Sequence, residues 1–430
     1  AAHRDKRTDS IILAGVLSGT RLSDIKFNEI IPNKNATWIK QTSNDWENLL
    51  SIANTKTKAA KLSTRHRAIF KDYSTGIMTG RDDWVYDFTE NGLNEKVRLF
   101  ANHFQQALQT PEDEKSIVKL SRNIKRRSDG ATFERMREFE EVSFRPFLKK
   151  RFYLSRVLID EWGHFTRYFG CSNTAISFLS KHSSHPVAAL AVDTPFDYGL
   201  LKTGNGGTQC LYRYRYSKDG TRIDNITDWA LYKFTAHYGK KANITKDDIF
   251  AYVYAVLHDP IYRETYAINL KREFPRIPFY PDFHQWRDWG QTLLDLHIGY
   301  ESVKPWKLGR LDAQDTKARS ADLNPKPKLK ADKDAGTIQL DSETTLTGIP
   351  PECWDYKLGN RSGLEWILDQ YKEKKPRDPT VAEKFNKYRF ADYREHVIDL
   401  LTRVTRVSVE TMKITNAMKA LDRPDEEASK

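Results

Sequence analysis

Few residue combinations in this sequence have the types and spacing for covalent chemistry. Asp341, followed by Asp355-Tyr356-Lys357, mimics a D…[D/E]-x-K site. In such a site carboxylates hold Mg²⁺ and a lysine steadies developing charge, which would make a metal-dependent nuclease. The context is poor, because the second half follows Pro350-Pro351 and does not read as a core strand. The loop KTGNGG at 202–207 is glycine-rich but lacks the phosphate-cradling spacings G-x-x-x-x-G-K-[ST] and G-x-G-x-x-G, so it reads as a hairpin turn. Cys171, Cys210 and Cys353 lie far apart and form no C-x-x-C pair, which argues against a zinc site. Their odd number suits a reducing cytoplasm better than a disulfide framework. His258, His284 and His297 stand alone near helical aromatic faces and read as structural histidines.

Recognition by charge and shape is the chemistry that remains. The 430 residues carry a formal net charge of +12. The pI is about 9.3 and 30% of residues are charged. That excess favours nucleic acid or another anionic surface as partner. Arg81-Asp82-Asp83, beside Gly76 and Gly80, either reads base edges or closes a tight turn. Arginine donates to guanine in pairs of hydrogen bonds, and aspartate accepts from cytosine. In Tyr212 to Tyr216, strand alternation sets Arg213 and Arg215 on one face and the tyrosines on the other. With Asn205, Asn360 and Arg361, these are the candidate base readers. Candidate phosphate contacts are Lys125, Arg126 and Arg127, then Lys149, Lys150 and Arg151 among aromatics, and Lys374, Lys375 and Arg377 in the basic run 372–377. Each cluster has the alternative reading of a solvated face.

The elements that must position these residues make an α+β fold with a β-rich centre, a helical subdomain and C-terminal helices. Residues 1–60 read as a connector and 61–220 as an α/β part. The alternation of Trp84, Tyr86 and Phe88 predicts a strand, and Leu93, Val97, Phe100 and Phe104 predict a helix. A second helix is predicted over 111–128. The segments AISFL, PVAALAV and TQCLYRYRY read as strands. Residues 221–310 form the helical subdomain: helices over 224–238, from a capping box at Thr245 to His258, over 261–274 and over 283–298. The polar stretch 310–335 reads as linker, followed by a hairpin near 337–348. Residues 349–430 form a C-terminal helical part. There a Gly359–Ser362 turn opens an amphipathic helix, and two more helices cover 393–404 and 409–421. No apolar run approaches the ~18 residues that span a bilayer, so no membrane partner is expected. The chain starts without Met, which suggests a piece of something longer.

The phrases TGRDDWVYDF, FRPFLKKRFYLSRVLID, NITDWALYKFTAHYG, IFAYVYAVLHDPIYRETYAINLKREFPRIPFYPDF and YKLGNRSGLEWILDQYKEKKPRDPTVAEKFNKYRFADYREHVIDLL resemble the C-terminal specificity region of type ISP restriction-modification enzymes. The likeness runs from about Ser43 and lies in length and order, not in one short motif. It implies a double-stranded DNA target-recognition domain. It also implies upstream nuclease, translocase and methyltransferase domains on the same polypeptide, with 1–60 leaving the methyltransferase. Adenine methylation and cleavage would then belong to those domains, together with their S-adenosylmethionine, ATP and Mg²⁺, and this chain would need no cofactor. The residues agree. A methyltransferase of this kind needs Asn/Asp-Pro-Pro-Tyr/Phe, whereas Ile349-Pro350-Pro351-Glu352 has an apolar residue in front and Glu behind. The S-adenosylmethionine glycine loop and a Walker A lysine are missing too. A purely structural role, holding neighbouring domains, is the other alternative to DNA recognition.

Overall fold

The computed structural model describes residues 44–59, 67–109, 140–155, 158–161, 172–179, 187–201, 207–217 and 219–423, with Arg21 and Val118. Trp46–Lys430 is one compact unit, and Ala1–Asp45 is another, of which Arg21, Asn44 and Asp45 are described. The fold is α+β.

The larger unit is built around four antiparallel strands in the order Ser74–Thr75, Gln209–Tyr212, Ala175–Phe178, Ala189–Val192. Every residue of the last two strands is buried. Successive side chains in a strand point to opposite faces, so each face feeds a different core. Ile176, Phe178, Ala189, Ala191 and Leu211 enter one. Ala175, Leu190, Val192, Cys210 and Tyr212 enter the other. Burial on both faces is why these segments read as apolar runs rather than as alternating patterns.

The longer helices are α1 (Glu90–Gln109), α2 (Asp228–Tyr238), α3 (Lys246–His258), α4 (Phe283–Ile298), α5 (Gly363–Gln370) and α6 (Arg394–Ala420). The first core is helical. Thr227 caps α2, and Thr245 with Asp248 forms the expected capping box of α3. Residues Ile249 to His258 of α3 are all buried, as in a helix packed on every side. It lies against α4 so closely that a Cβ on Gly290 would fall on the Ala251 carbonyl. Between them His297 Nδ1 meets the Tyr254 hydroxyl at 2.5 Å and Nε2 meets Thr411 Oγ1 at 2.9 Å and Tyr356 Oη at 3.1 Å. These are packing histidines, as the sequence suggests; His284 is exposed.

The second core joins the sheet Tyr86–Asp87, Leu148–Phe152, Glu140–Arg145 to α1, α5 and α6. Here the structure corrects three local expectations. Asp82–Val85 is a helical turn, not the start of a strand. Asp82 accepts from the Thr79 hydroxyl, and Asp82 and Asp83 lie where a helix N-terminus favours acids. The stretch 310–335 is no linker: Gly309–Asp312 and Pro327–Asp332 are the outer strands of a four-stranded sheet with Thr337–Asp341 and Thr344–Thr347. Leu329 is the single buried side chain of the strand Pro327–Asp332, too few for a visible apolar period. The two helices predicted over 393–421 are the single helix α6. The run Val404-Thr405-Arg406-Val407-Ser408 has weak helix propensity. Its Thr405 and Ser408 hydroxyls donate to the Leu401 and Val404 carbonyls, and burial of Val404 and Val407 carries the helix through. The predicted helix over 111–128 falls outside the described residues, apart from the buried Val118.

Candidate nucleic-acid interface

Arg81, Asp82 and Asp83 hold a surface rather than forming one. The Arg81 side chain is 6% exposed, lies 3.9 Å from Asp160 and donates to the Leu158 carbonyl at 2.5 Å. Asp83 Oδ2 accepts the backbone N–H groups of Arg377 and Asp378, each at 2.8 Å. Next to it, the Trp84 indole donates to Asp378 at 2.8 Å, and Asp378 caps the short helix Pro379–Lys384. The triplet thus serves the turn-closing alternative and, across 294 positions of sequence, anchors the basic loop.

That loop is also fastened to itself. Tyr388 donates to the Tyr371 carbonyl at 2.8 Å, and the Phe390 N–H donates to Glu373 at 2.9 Å. Phe88 stacks on Tyr388 with ring centroids 4.9 Å apart. The result is a fixed platform whose cations all point outward. Lys372, Lys374, Lys375, Arg377, Lys384, Lys387 and Arg389 are exposed. Lys374 pairs with Asp369 at 3.0 Å, and Lys387 with Glu95 at 2.7 Å. The Arg389 guanidinium donates to the Tyr388 and Asn386 carbonyls. Lys372, Lys375, Arg377 and Lys384 have no carboxylate partner among the described residues. Lys372 opens the basic run expected from the sequence, whereas Lys384 was not singled out, because its relation to Lys375 and Arg377 depends on the Tyr388–Tyr371 and Asp83–Arg377 closures.

The turn at Gly359 forms a hairpin, Lys357–Leu358 against Arg361–Ser362, with Gly359 at φ +77°. That left-handed conformation is one that glycine adopts without cost. Ser362 then caps α5 in a capping box with Glu365. Asn360 is exposed at the hairpin tip, while Arg361 lies over the Trp366 ring and pairs with Asp369 at 2.9 Å. Asp369 therefore clamps both Arg361 and Lys374.

A second basic surface surrounds the hairpin Tyr214–Tyr216 with Arg222–Asp224. The expected separation of arginines from tyrosines fails at Arg213, which sits in a bend before the strand. Arg213 and the Tyr214 hydroxyl both bind Asp247, at 2.6 Å and 3.0 Å. Arg222 lies over the Tyr214 ring at 4.4 Å. Lys149 pairs with Glu301 at 2.5 Å, and Arg151 stands 3.7 Å from Glu90. Lys150 sits between the Phe144 and Phe88 rings, at 4.4 Å and 4.5 Å. Burial, with Lys96 and Arg145 nearby, pushes its amine down to about 8. Asn205, Lys125, Arg126 and Arg127 lie outside the described residues.

The nuclease pattern does not converge into a recognisable centre. Asp341 is 2% exposed, and its carboxylate accepts the N–H groups of Glu343 and Thr344 at 2.8 Å and 2.7 Å, which is the work of a turn. The Tyr356 between Asp355 and Lys357 is buried against His297. Among the described residues no three His, Cys, Asp or Glu side chains are grouped to hold a metal, and no helix is long and apolar enough to cross a membrane.

No curated protein matches the chain. Among solved structures it is similar to the cryo-EM structure of the DrdV–DNA complex, at 42% identity and TM-score 0.87, covering 95% of this chain and 42% of that one. It shares its fold with the ATP-dependent type ISP restriction-modification enzyme LlaBIII bound to DNA, at 23% identity and TM-score 0.77, over 96% of this chain and 26% of that one. It also shares its fold with a nuclease-deletion mutant of the type ISP enzyme LlaGI in complex with a DNA substrate mimic, at 23% identity and TM-score 0.73, over 95% and 38%. The chain thus spans less than half the length of each of these. A family model for the type ISP C-terminal specificity domain matches residues 68–400. The chain belongs to the type ISP C-terminal specificity domain family.

Proposed function

We propose that this chain is the domain with which a type ISP restriction-modification enzyme recognises a specific sequence in duplex DNA. The observation that carries this reading is the likeness, at 42% identity over 95% of the chain, to a chain solved in complex with DNA. The outward cations Lys372, Lys375, Arg377 and Lys384 supply the physical means. Phosphate contacts by such groups fix orientation, and side chains at base edges then select sequence. Arg213 and Arg361 are held by carboxylates, so Asn360 at its hairpin tip is the better placed of the expected base readers. Adenine methylation and DNA cleavage would be done by other domains of the same polypeptide, in the cytoplasm, and S-adenosylmethionine, ATP and Mg²⁺ would be bound there.

Methylated-adenine mapping in cells carrying the whole enzyme names the site. Anisotropy titration of the chain then compares a duplex with that site to a scrambled one across a salt series. The expected result is binding tighter to the site by roughly 10³-fold or more, with a steep salt dependence. Equal affinity for both duplexes, or a flat salt dependence, overturns the reading and favours a structural role.

A further inference from the structure

Among the described residues, five arginines bury an Nε atom that makes no hydrogen bond: Arg81, Arg215, Arg287, Arg406 and Arg423. Four of them satisfy the guanidinium elsewhere. Arg81 donates to Leu158, Arg287 pairs with Asp248, Arg406 with Glu410 and Arg423 with Asp259. Arg215 differs, because none of its side-chain nitrogens has an acceptor among the described residues. It is half-buried on a strand that cannot easily shift. That strand pairs with Arg222–Asp224, and Asn173 holds it by donating to the Tyr214 carbonyl at 2.8 Å.

A second unpaired cation belongs to the same place. Lys71 is half-buried and its amine has no hydrogen-bond or ion-pair partner among the described residues. Its backbone N–H donates to the Asn225 carbonyl at 2.7 Å. The Asn225 side chain bridges the Asp72 and Tyr212 carbonyls at 2.9 Å and 2.8 Å, so the chain around Lys71 is stapled to the strand leading into Arg215. Burial first, then Lys246 and Arg215, lower the amine's hold on its proton, and Asp228 and Asp224 offset part of this, so Lys71 and Arg215 stand within each other's field. The carboxylates nearby are already engaged. Asp224 and Asp228 both hold Lys246, at 3.3 Å and 2.6 Å, and Asp247 holds Arg213. Two half-buried cations on stapled backbone, neither bonded to a carboxylate among the described residues, constitute an incomplete site, since a desolvated charge is costly until paired.

We propose that Lys71 and Arg215 form a seat for a phosphodiester group of the DNA backbone. The proposal rests on the DNA-recognition reading and deepens it. Arg215 positions the duplex rather than reading a base, and Lys71 joins it although the two lie 144 positions apart in sequence. A planar guanidinium matches two phosphate oxygens, and a lysine adds a point charge.

The test uses the full chain with Arg215→Gln, Lys71→Gln and the charge-keeping Arg215→Lys, each checked for an unchanged melting temperature. Each Gln variant should weaken the cognate and the scrambled duplex alike, about fivefold at 0.15 M salt, and flatten the slope of log K against log[salt] by ~0.9. Arg215→Lys should restore the slope. Loss of the cognate-to-scrambled ratio with an unchanged slope would make Arg215 a base reader and overturn the proposal, as would no effect on either duplex. If the wild-type chain binds no duplex, the broader reading fails, and inorganic phosphate then judges the seat alone. Phosphate should slow acetylation of Lys71, read by peptide mass spectrometry, in the wild type but not in Arg215→Gln. Equal acetylation with and without phosphate overturns the seat.

Discussion

Replacing Asp83 with alanine should free the basic loop without unfolding the protein. In the structure one carboxylate oxygen receives two backbone N–H groups, from Arg377 and Asp378, each at 2.8 Å. Hydrogen bonds to a charged partner contribute about 1.5–3 kcal/mol each. Asp83 is half-exposed, so the lower end applies, and the pair should hold the loop by about 3 kcal/mol. With tenfold per 1.4 kcal/mol, opening becomes on the order of 100-fold easier. The Trp84–Asp378 hydrogen bond and the Tyr388–Tyr371 closure remain, so the loss is local. Amide hydrogen exchange reads it directly. The Arg377 and Asp378 amides should exchange about 100-fold faster, while those of buried α3 residues stay as they were. Asp83→Asn retains an acceptor without the charge and should fall between. In duplex binding, Asp83→Ala should weaken all sequences together, because the displaced groups carry charge and no base code. Unchanged protection at Arg377 and Asp378 would refute the anchoring argument. A selective loss on the cognate duplex would instead return Asp83 to the role of base reader.

Other outcomes follow from the same geometry. Lys375→Gln with Arg377→Gln should flatten the salt slope by ~1.8, two contacts' worth, and leave the ratio between cognate and scrambled duplexes intact; a changed ratio in the anisotropy titration refutes their assignment to phosphate. Gly290→Ala drives a methyl group into the Ala251 carbonyl across the α3–α4 contact and should cost about 3 kcal/mol in urea unfolding; an unchanged midpoint contradicts that closeness. The two buried histidines should take stability away on acidification below about pH 6.5. Burial pushes His297 down to about 3 and holds His258 well below the ordinary range, with Arg263 adding to both. At these two sites the unfolded chain, with ordinary histidines, then binds more protons than the folded one between those limits, so their contribution to stability is full above pH 6.5 and declines below it, while the raised carboxyl of buried Asp197 acts in the opposite sense below about pH 6. His297, facing Tyr254, Tyr356 and Thr411, should contribute a loss of roughly 1.4 kcal/mol at pH 5.5. Urea midpoints at pH 7.5 and 5.5 should differ less for His297→Gln than for the wild type, and equal differences dispose of the assignment.

What could be read from the sequence divides according to how far its causes reach along the chain. Local causes were visible. The Thr245 capping box, the bounds of α4 and the glycine-led turn before α5 each depend on residues within a few positions of one another. Strands buried on both faces were visible too, because their apolar runs need no partner to be recognised. Where tertiary packing overrides local preference, the reading erred. Helix α6 crosses a β-branched stretch because Val404 and Val407 are buried, and the outer strands of the four-stranded sheet are too charged to show a period. The functional surface was hardest to read, since a cation's sequence neighbours say little about whether a carboxylate already occupies it. Arg213, Arg361 and Lys374 look as available as Lys375 until Asp247 and Asp369 are seen to hold them. The same blindness works in reverse for Lys71, which stands in no basic run and has no sequence feature to recommend it. Its significance arises only when Asn225 staples it beside Arg215. For a recognition domain, then, counting charges along the sequence locates the surfaces only coarsely. The informative quantity is the charge left unpaired after folding, as on the Lys372–Lys384 platform and at Lys71 with Arg215.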